Sequence, residues 1–333
     1  MSLSRFVLIA FACICCCLSQ PFQVRDVRAG NPDASAQFPT AKRIVFLGDS
    51  ITYAGGYVSA IETALIAEAP SHHCELINLG LPSETVSGLS EPGHAGGQFP
   101  RPTLHERLTR ILDQSKPDLV IACYGMNDGI YYPNNDARFS QFKSGMERLH
   151  KEVTDRGSSI IHLTPAYFDA LPIQSRLLPA GREEYPQPYE GYDDVLGDYS
   201  EWLMSKKSDG WIVLNLHSIM KNEVIKRRVD KKDFTFASDG VHPNAEGQAI
   251  IARPLAEYWG LHLNDRGLPN HPQAEAIHAI VALKQSVLKH AWLSSTRHLR
   301  PGIEAGIPVP DAELKASELD RQARLLAASP NQQ

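Results

Sequence analysis

A serine, a histidine and an aspartate in this sequence have the types and spacing of a nucleophilic hydrolytic site. Ser50 lies in the segment Phe46-Leu-Gly-Asp-Ser-Ile-Thr, and Asp239 stands three residues before His242. The Asp-x-x-His spacing lets one loop present the carboxylate to the imidazole Nδ1–H, which leaves Nε2 free to take a serine proton. Alone, each segment is also typical of a helix N-terminus, with a capping serine in the first and an incidental histidine in the second.

Two further segments carry groups that can stabilise an oxyanion. Gly80 ends the run Ile77–Gly80, where the lack of a side chain lets its backbone N–H turn toward a neighbouring serine. Asn127 follows another apolar run and carries an amide, a neutral donor that can hold negative charge. By itself, either segment is an ordinary turn. We predict supporting roles for the adjacent carboxylates of Asp49 and Asp128.

Short apolar runs alternate with amphipathic stretches, which predicts that buried strands alternate with helices over residues 40–260. The apolar runs are Arg43–Gly48, Cys74–Gly80, Asp118–Gly125, Ser158–Pro165 and Trp211–Leu216. The helical patterns cover Tyr57–Ala69, Thr103–Gln114, Phe139–Arg156, Val195–Ser208 and Asn244–Trp259. This alternation indicates a three-layer α/β/α domain of doubly wound, flavodoxin-like order. Such sheets bind ligands at the carboxyl ends of their strands, where the segments above fall.

The four segments together resemble the sequence blocks of the SGNH (GDSL) hydrolase family, over roughly Lys42 to Gly260. The resemblance implies a five-stranded parallel sheet between helices. It also implies that Ser50 is the nucleophile and that His242, oriented by Asp239, is its base. The oxyanion donors that it implies are the backbone N–H groups of Ser50 and Gly80 and the Asn127 amide.

The chemistry that this resemblance implies is ester hydrolysis through an acyl-serine, without a metal or cofactor. The scattered histidines do not have the spacing of a zinc ligand pair. Tyr131 and Tyr132 are candidates for the substrate rim, because a tyrosine ring with a polar tip suits a sugar. We therefore expect a small acyl group, such as acetyl on carbohydrate. The alternatives are a lipase or lysophospholipase, and a non-catalytic carbohydrate-binding protein on the same fold.

The composition is that of a globular protein with no nucleic-acid partner. The chain has 333 residues, a hydrophobic fraction of 43%, a charged fraction of 21% and a formal net charge of −5. No stripe of Lys and Arg interleaved with aromatic residues tracks a phosphate backbone. We expect a small-molecule or glycan ester as the partner, and the sequence leaves the oligomeric state open.

The N-terminal residues have the order of a secretory signal, with one positive charge before the apolar run Phe6–Leu18. Residues 1–29 are interpreted as a signal peptide with a short following segment, so the protein is expected to be secreted or periplasmic. After removal of the signal we expect no stable membrane insertion. A lipoprotein anchor is the less favoured alternative, since Phe11-Ala12 is a poor lead to an acceptor cysteine.

Cys74 and Cys123 are the cysteines that lie outside the N-terminal apolar run, and they are predicted to stay free. In a flavodoxin-like order they are separated by two strand spacings, a total of about 10 Å, which exceeds the reach of a disulfide.

Residues 261–333 are predicted to form a helical extension, with helices near Ala274–Trp292 and Ala312–Ala327. We expect this extension to cover apolar surface, and its removal to affect solubility more than chemistry.

Overall fold

A five-stranded parallel sheet lies at the centre of the computed structural model, which describes residues 40–329. The strands run in the order β2-β1-β3-β4-β5, and each neighbouring pair is parallel. Their bounds are β1 Arg43–Gly48, β2 Glu75–Asn78, β3 Leu119–Cys123, β4 Ser159–Leu163 and β5 Ile212–Leu214. The predicted five-stranded α/β fold is confirmed.

Helices surround this sheet, and most of them match the predicted patterns within a few residues. They are α1 Ser50–Ala54, α2 Gly56–Glu68, α3 Leu104–Ser115, α4 Asp136–Thr154, α5 Tyr192–Ser205, α6 Leu216–Asp230, α7 Ala245–Tyr258, α8 Ala274–Thr296 and α9 Val309–Ala328. Helices α1 and α6 were not predicted from the sequence: α1 has only five residues, and charged residues interrupt the apolar spacing of α6. The N-cap of α6 is Asn215, which accepts a hydrogen bond from the Ser218 N–H.

The strands are continuous apolar runs because both faces of the sheet are covered. All five residues of β3 are buried, as are five of the six residues of β1. Cys74 and Cys123 are buried and free, as predicted. Strand β1 lies between the strands that they flank, so the sheet itself separates the two thiols.

The C-terminal helices pack against the edge of the sheet formed by β2. Helix α8 contacts α2 and β2, and α9 packs on α8. Lys284 of α8 is buried and forms ion pairs with Glu62 at 2.7 Å and Asp320 at 2.6 Å, which ties α2, α8 and α9 together. The helical character predicted for this region is confirmed.

No helix within residues 40–329 is long and apolar enough to cross a membrane. The predicted signal segment, residues 1–29, lies outside the described residues.

Candidate active site

Ser50 is the first residue of α1 and stands where β1 ends. Asp49 caps this helix by accepting a hydrogen bond from the Ile51 N–H at 2.9 Å. The cap turns the chain sharply after Gly48, where a side chain would lie only 2.7 Å from the Cys123 carbonyl oxygen of β3. The strand and the cap thus hold Ser50 at the carboxyl edge of the sheet, partly open to solvent.

His242 reaches Ser50 from the loop before α7. Its Nε2 lies 2.8 Å from Ser50 Oγ, and its Nδ1 lies 2.6 Å from Asp239 Oδ2. Gly240, between them, has a φ of 81°, and a side chain there would lie 2.7 Å from the Asp169 carbonyl oxygen. The structure therefore brings Ser50, His242 and Asp239 together in the order that proton transfer requires.

Hydrogen bonds fix the carboxylate of Asp239 in a position that orients the histidine, even though its side chain is 49% exposed. Its Oδ1 accepts the backbone N–H groups of Val241 at 2.9 Å and His242 at 2.8 Å. Burial acts to raise the pKa of Asp239, but these hydrogen bonds and the one from the imidazole outweigh it and lower the pKa. The carboxylate is thus ionised and faces Nδ1–H.

Asn127 is buried beyond the end of β3 and its amide is held at both ends. Its Oδ1 accepts from Arg101 Nη1 at 2.9 Å and from the Tyr131 hydroxyl at 3.3 Å. Its Nδ2 donates one hydrogen to the Glu84 carbonyl oxygen at 3.2 Å. Since an amide nitrogen carries two hydrogens, one donor remains for a ligand.

Arg101 and Glu91 are site residues that the sequence analysis missed. Two nitrogens of the Arg101 guanidinium pair with the two oxygens of Glu91, each at 2.7 Å. The pair is nearly buried and lies in the loop 81–102, which is rich in glycine and proline. The one sequence signal for Arg101 is its position between two prolines in this loop, and that position does not indicate a contact with Asn127.

Gly80 does not have the role predicted from the sequence, because its N–H is already occupied. It donates to Asn78 Oδ1 at 2.9 Å, while Asn78 Nδ2 donates to the Thr52 carbonyl oxygen at 2.7 Å. Glycine is needed here for a close approach, since a side chain would lie 2.3 Å from the Tyr53 nitrogen. Gly80 therefore joins the turn after β2 to α1 and leaves no free donor.

Ser83, in the same turn, has backbone strain that the sequence did not indicate. Its φ is 68°, in the left-handed region that residues other than glycine rarely adopt. The carbonyl oxygen of the next residue, Glu84, binds Asn127 Nδ2, so the Ser83 backbone lies beside that amide. Backbone strain of this kind is found more often at functional sites than elsewhere in proteins.

The two predicted supporting carboxylates are both buried and both brace the backbone. Asp128 Oδ1 accepts the N–H groups of Val86 and Ser87, each at 2.8 Å, which holds the loop after β2 against the end of β3. Burial raises the pKa of Asp128 to about 6 and that of Asp49 to about 7.

The two predicted rim tyrosines have different surroundings. Tyr131 points its hydroxyl at Asn127 and its ring lies 5.4 Å from the Arg101 guanidinium. Tyr132 packs against Tyr185, with ring centroids 4.9 Å apart. Tyr131 is thus part of the site, whereas a substrate contact of Tyr132 stays a prediction.

Comparison with known families agrees with this geometry. The sequence profile of the GDSL-like Lipase/Acylhydrolase family matches residues 46–250, from the strand before Ser50 to the helix after His242. The chain therefore belongs to this family. No curated protein matches the chain.

Two solved structures share its fold. BT4096, described as a gut microbial diltiazem-metabolizing enzyme, is 18% identical with a TM-score of 0.51, over 68% of this chain and 49% of its own length. A catalytic mutant of Axe2, an acetylxylan esterase from Geobacillus stearothermophilus, is 20% identical with a TM-score of 0.50, over 68% of this chain and 98% of its own length. This chain thus spans about half of BT4096, and the likeness concerns the fold alone.

The family and the fold together define the class of the protein, a GDSL-like Lipase/Acylhydrolase family member with a five-stranded parallel sheet between helices.

Proposed function

We propose that this protein hydrolyses small-acyl esters, such as acetyl groups on carbohydrate, through an acyl-Ser50 intermediate. The observation that carries the proposal is the continuous relay from Ser50 Oγ to His242 Nε2 at 2.8 Å and from Nδ1 to Asp239 at 2.6 Å. A hydroxyl becomes a nucleophile when a base removes its proton as it attacks, and this relay provides that base.

The proposed reaction has two halves with one shared base. Ser50 Oγ attacks the carbonyl carbon while His242 Nε2 takes its proton, and His242 then returns that proton to the leaving alcohol oxygen as the ester bond breaks. In the second half, water gives a proton to His242 and attacks the acyl-serine. Ser50 regains the proton as the carboxylic acid departs.

The proposed oxyanion donors are the Ser50 N–H, the free hydrogen of Asn127 Nδ2 and the Ser83 N–H. Asn127 is supported by its fixed amide, since the cation of Arg101 at Oδ1 polarises the group and strengthens the Nδ2–H donor. Ser83 replaces Gly80 in this role, because its backbone lies beside Asn127 and the Gly80 N–H is occupied.

The preference for a small acyl group rests on the polar wall around Asn127. Arg101, Glu91 and Tyr131 form this wall, and a long acyl chain gains little by contacting charged and hydroxyl groups. Axe2 is described as an acetylxylan esterase, which is consistent with this preference. We also propose that residues 1–29 direct export, which mass measurement of the N-terminus of the secreted protein would test.

A series of p-nitrophenyl esters from acetate to long chains tests the proposal with the native protein and Ser50→Ala. We expect turnover to be highest for acetate and to fall by at least about 10⁴-fold in Ser50→Ala. Rates that rise with chain length would point to a lipase. Absence of Ser50-dependent turnover on every ester would overturn the enzyme proposal in favour of a binding protein.

A further inference from the structure

The C-terminal extension reaches the active-site edge of the sheet. Tyr53 lies on α1 three residues after Ser50, and residues three apart share one face of a helix. Lys289 of α8 donates to the Tyr53 carbonyl oxygen at 2.8 Å, and its ammonium lies 4.0 Å from the centre of the Tyr53 ring. The neighbouring His290 Nε2 lies 3.3 Å from the Tyr53 hydroxyl.

The segment after α8 brings an arginine to the same edge. The Arg300 guanidinium carbon lies 4.5 Å from the centre of the Phe99 ring, in the loop 81–102 that also carries Arg101. Phe99 packs edge-on against His94, whose pKa is lowered by burial, by Arg101 and, to a smaller extent, by Arg300. Arg300 is therefore close to the charged wall beside Asn127.

The two cations of this edge have no carboxylate partner in the described part of the chain. Among residues 40–329, neither Lys289 nor Arg300 forms an ion pair, although most buried cations of the protein do. Arg300 Nε is buried without a hydrogen-bond partner in the described chain, while Nη1 donates to the Pro301 carbonyl oxygen. The pKa of Tyr53 is raised by burial and, second, by Glu304, a carboxylate that is exposed and pairs with neither cation.

Unpaired positive charge at a partly buried position is costly unless an anion neutralises it. Burial lowers the pKa of both Lys289 and Arg300, which is the direction expected of cations whose charge is not compensated. Lys289 lies over the Tyr53 ring, three residues from the nucleophile, and Arg300 lies over the Phe99 ring and is close enough to interact electrostatically with Tyr53. Two such cations have the chemistry of a site for an anionic ligand group.

We propose that Tyr53, Phe99, Lys289 and Arg300 form a substrate subsite that binds an anionic sugar next to the acylated position. The guanidinium fork matches a carboxylate or a sulfate, and the two aromatic rings supply flat faces for a sugar ring. This inference rests on the proposed function and names its substrate class, an acylated acidic glycan. It also gives the C-terminal extension a role in specificity.

Monoacetylated methyl glycosides of galactose, galacturonic acid and galactose 6-sulfate, acetylated at the same hydroxyl, test the subsite. They differ only in the group at C6, and acetate release gives kcat/KM for each. We expect at least one anionic probe to be favoured over the neutral one by ~10-fold or more, through a lower KM, because a hydrogen bond between two charged groups is stronger than one to a neutral hydroxyl. The faster anionic probe identifies the group as carboxylate or sulfate.

Two arginine variants decide whether Arg300 carries this preference. Arg300→Gln is expected to reduce the anionic-to-neutral ratio by ~5-fold or more, whereas Arg297→Gln, an exposed arginine in the same segment, is expected to leave it unchanged. Thermal unfolding checks that both variants are folded, and inhibition of p-nitrophenyl acetate hydrolysis by galacturonate against galactose gives a second readout of binding.

Equal turnover of neutral and anionic probes by the native protein would overturn the subsite and leave the esterase proposal standing. An equal fall of the ratio in both variants would also overturn it, because the effect would then be one of general charge. Absence of Ser50-dependent turnover on every ester, the p-nitrophenyl series included, would overturn both proposals together.

Discussion

The two halves of the candidate site are built in opposite ways. The base half, Asp239 and His242, comes from one loop, and its side chains are 49% and 53% exposed. The proposed oxyanion half, centred on Asn127, is buried and depends on Arg101 and Glu84, which lie 26 and 43 residues away in the sequence. The contacts within the base half therefore follow from the spacing of its residues in one loop. The contacts around Asn127 depend instead on the paths that other loops take in the folded protein.

This difference has a physical reason in what each half must do. The base half exchanges protons with substrate and water, so it benefits from access to solvent and needs only one fixed carboxylate. The oxyanion half must present dipoles that do not reorganise during the reaction, and burial with paired partners provides that rigidity. Substitutions in the two halves should therefore differ in how much they reduce activity and in how far that loss depends on residues distant in the sequence.

The largest effect is expected in the base half. Asp239→Asn retains the shape of the side chain but favours the wrong imidazole tautomer, so kcat should fall by about 10³–10⁴-fold. The measurement is kcat for p-nitrophenyl acetate at neutral pH. The matched control is Asp233→Asn, an exposed aspartate in the same connection, which should retain native kcat. A loss below about tenfold would show that the carboxylate does not orient His242.

A smaller effect is expected when the oxyanion half loses its donor. Asn127→Ala removes one hydrogen bond to the developing negative charge, so kcat should fall by about 10²–10³-fold with little change in KM. Asn222→Ala, at an exposed position on α6, is the control. A rise in KM at unchanged kcat would contradict the assignment, since it would mean that Asn127 binds substrate and transition state equally.

A smaller effect again is expected from the residue that braces this donor. Arg101→Met leaves Asn127 in place but removes the cation at its Oδ1, and kcat should fall by roughly 10–50-fold because the amide is less polarised and less fixed. Arg101→Lys should recover part of this loss, as it restores the charge without the paired contact to Glu91.

Thermal unfolding separates this positioning role from a structural one. The Arg101–Glu91 pair is nearly buried, so Arg101→Met is also expected to lower stability by ~3 kcal/mol. Activity is therefore measured well below the unfolding transition of each variant. If Arg101→Lys recovers stability without recovering kcat, the proposed action through Asn127 is wrong.

The same contrast explains what the sequence could predict. The strands were predicted because buried parallel strands are apolar runs, and the base half was predicted because Asp239 and His242 share a loop. Gly80 was assigned to the right strand end, but whether Asn78 takes its N–H depends on tertiary geometry within one turn. Arg101 was missed because its partner Asn127 becomes a neighbour only through the path of the loop 81–102.

The last comparison concerns stability rather than activity, and it sets Asp49, the buried carboxylate that caps α1, against Asp239 of the base half. Burial raises the pKa of Asp49 to about 7, whereas hydrogen bonds lower the pKa of Asp239 despite burial. For Asp49 the folded state holds its proton more tightly than the unfolded state, so its contribution to stability is lost as pH rises from its ordinary value toward 7. For Asp239 the contribution is present at higher pH and is lost as pH falls below its ordinary value.

Urea unfolding of Asp49→Asn, Asp239→Asn and the native protein at several pH values tests these opposite signs. Relative to the native protein, Asp49→Asn should gain stability as pH rises between about 4 and 7, by on the order of 4 kcal/mol at most, because the variant has no buried carboxyl to ionise. Asp239→Asn should instead lose stability relative to the native protein as pH rises through the acidic range where Asp239 ionises. Parallel slopes for the two variants would mean that burial and hydrogen bonding do not shift the pKa values of Asp49 and Asp239 in opposite directions.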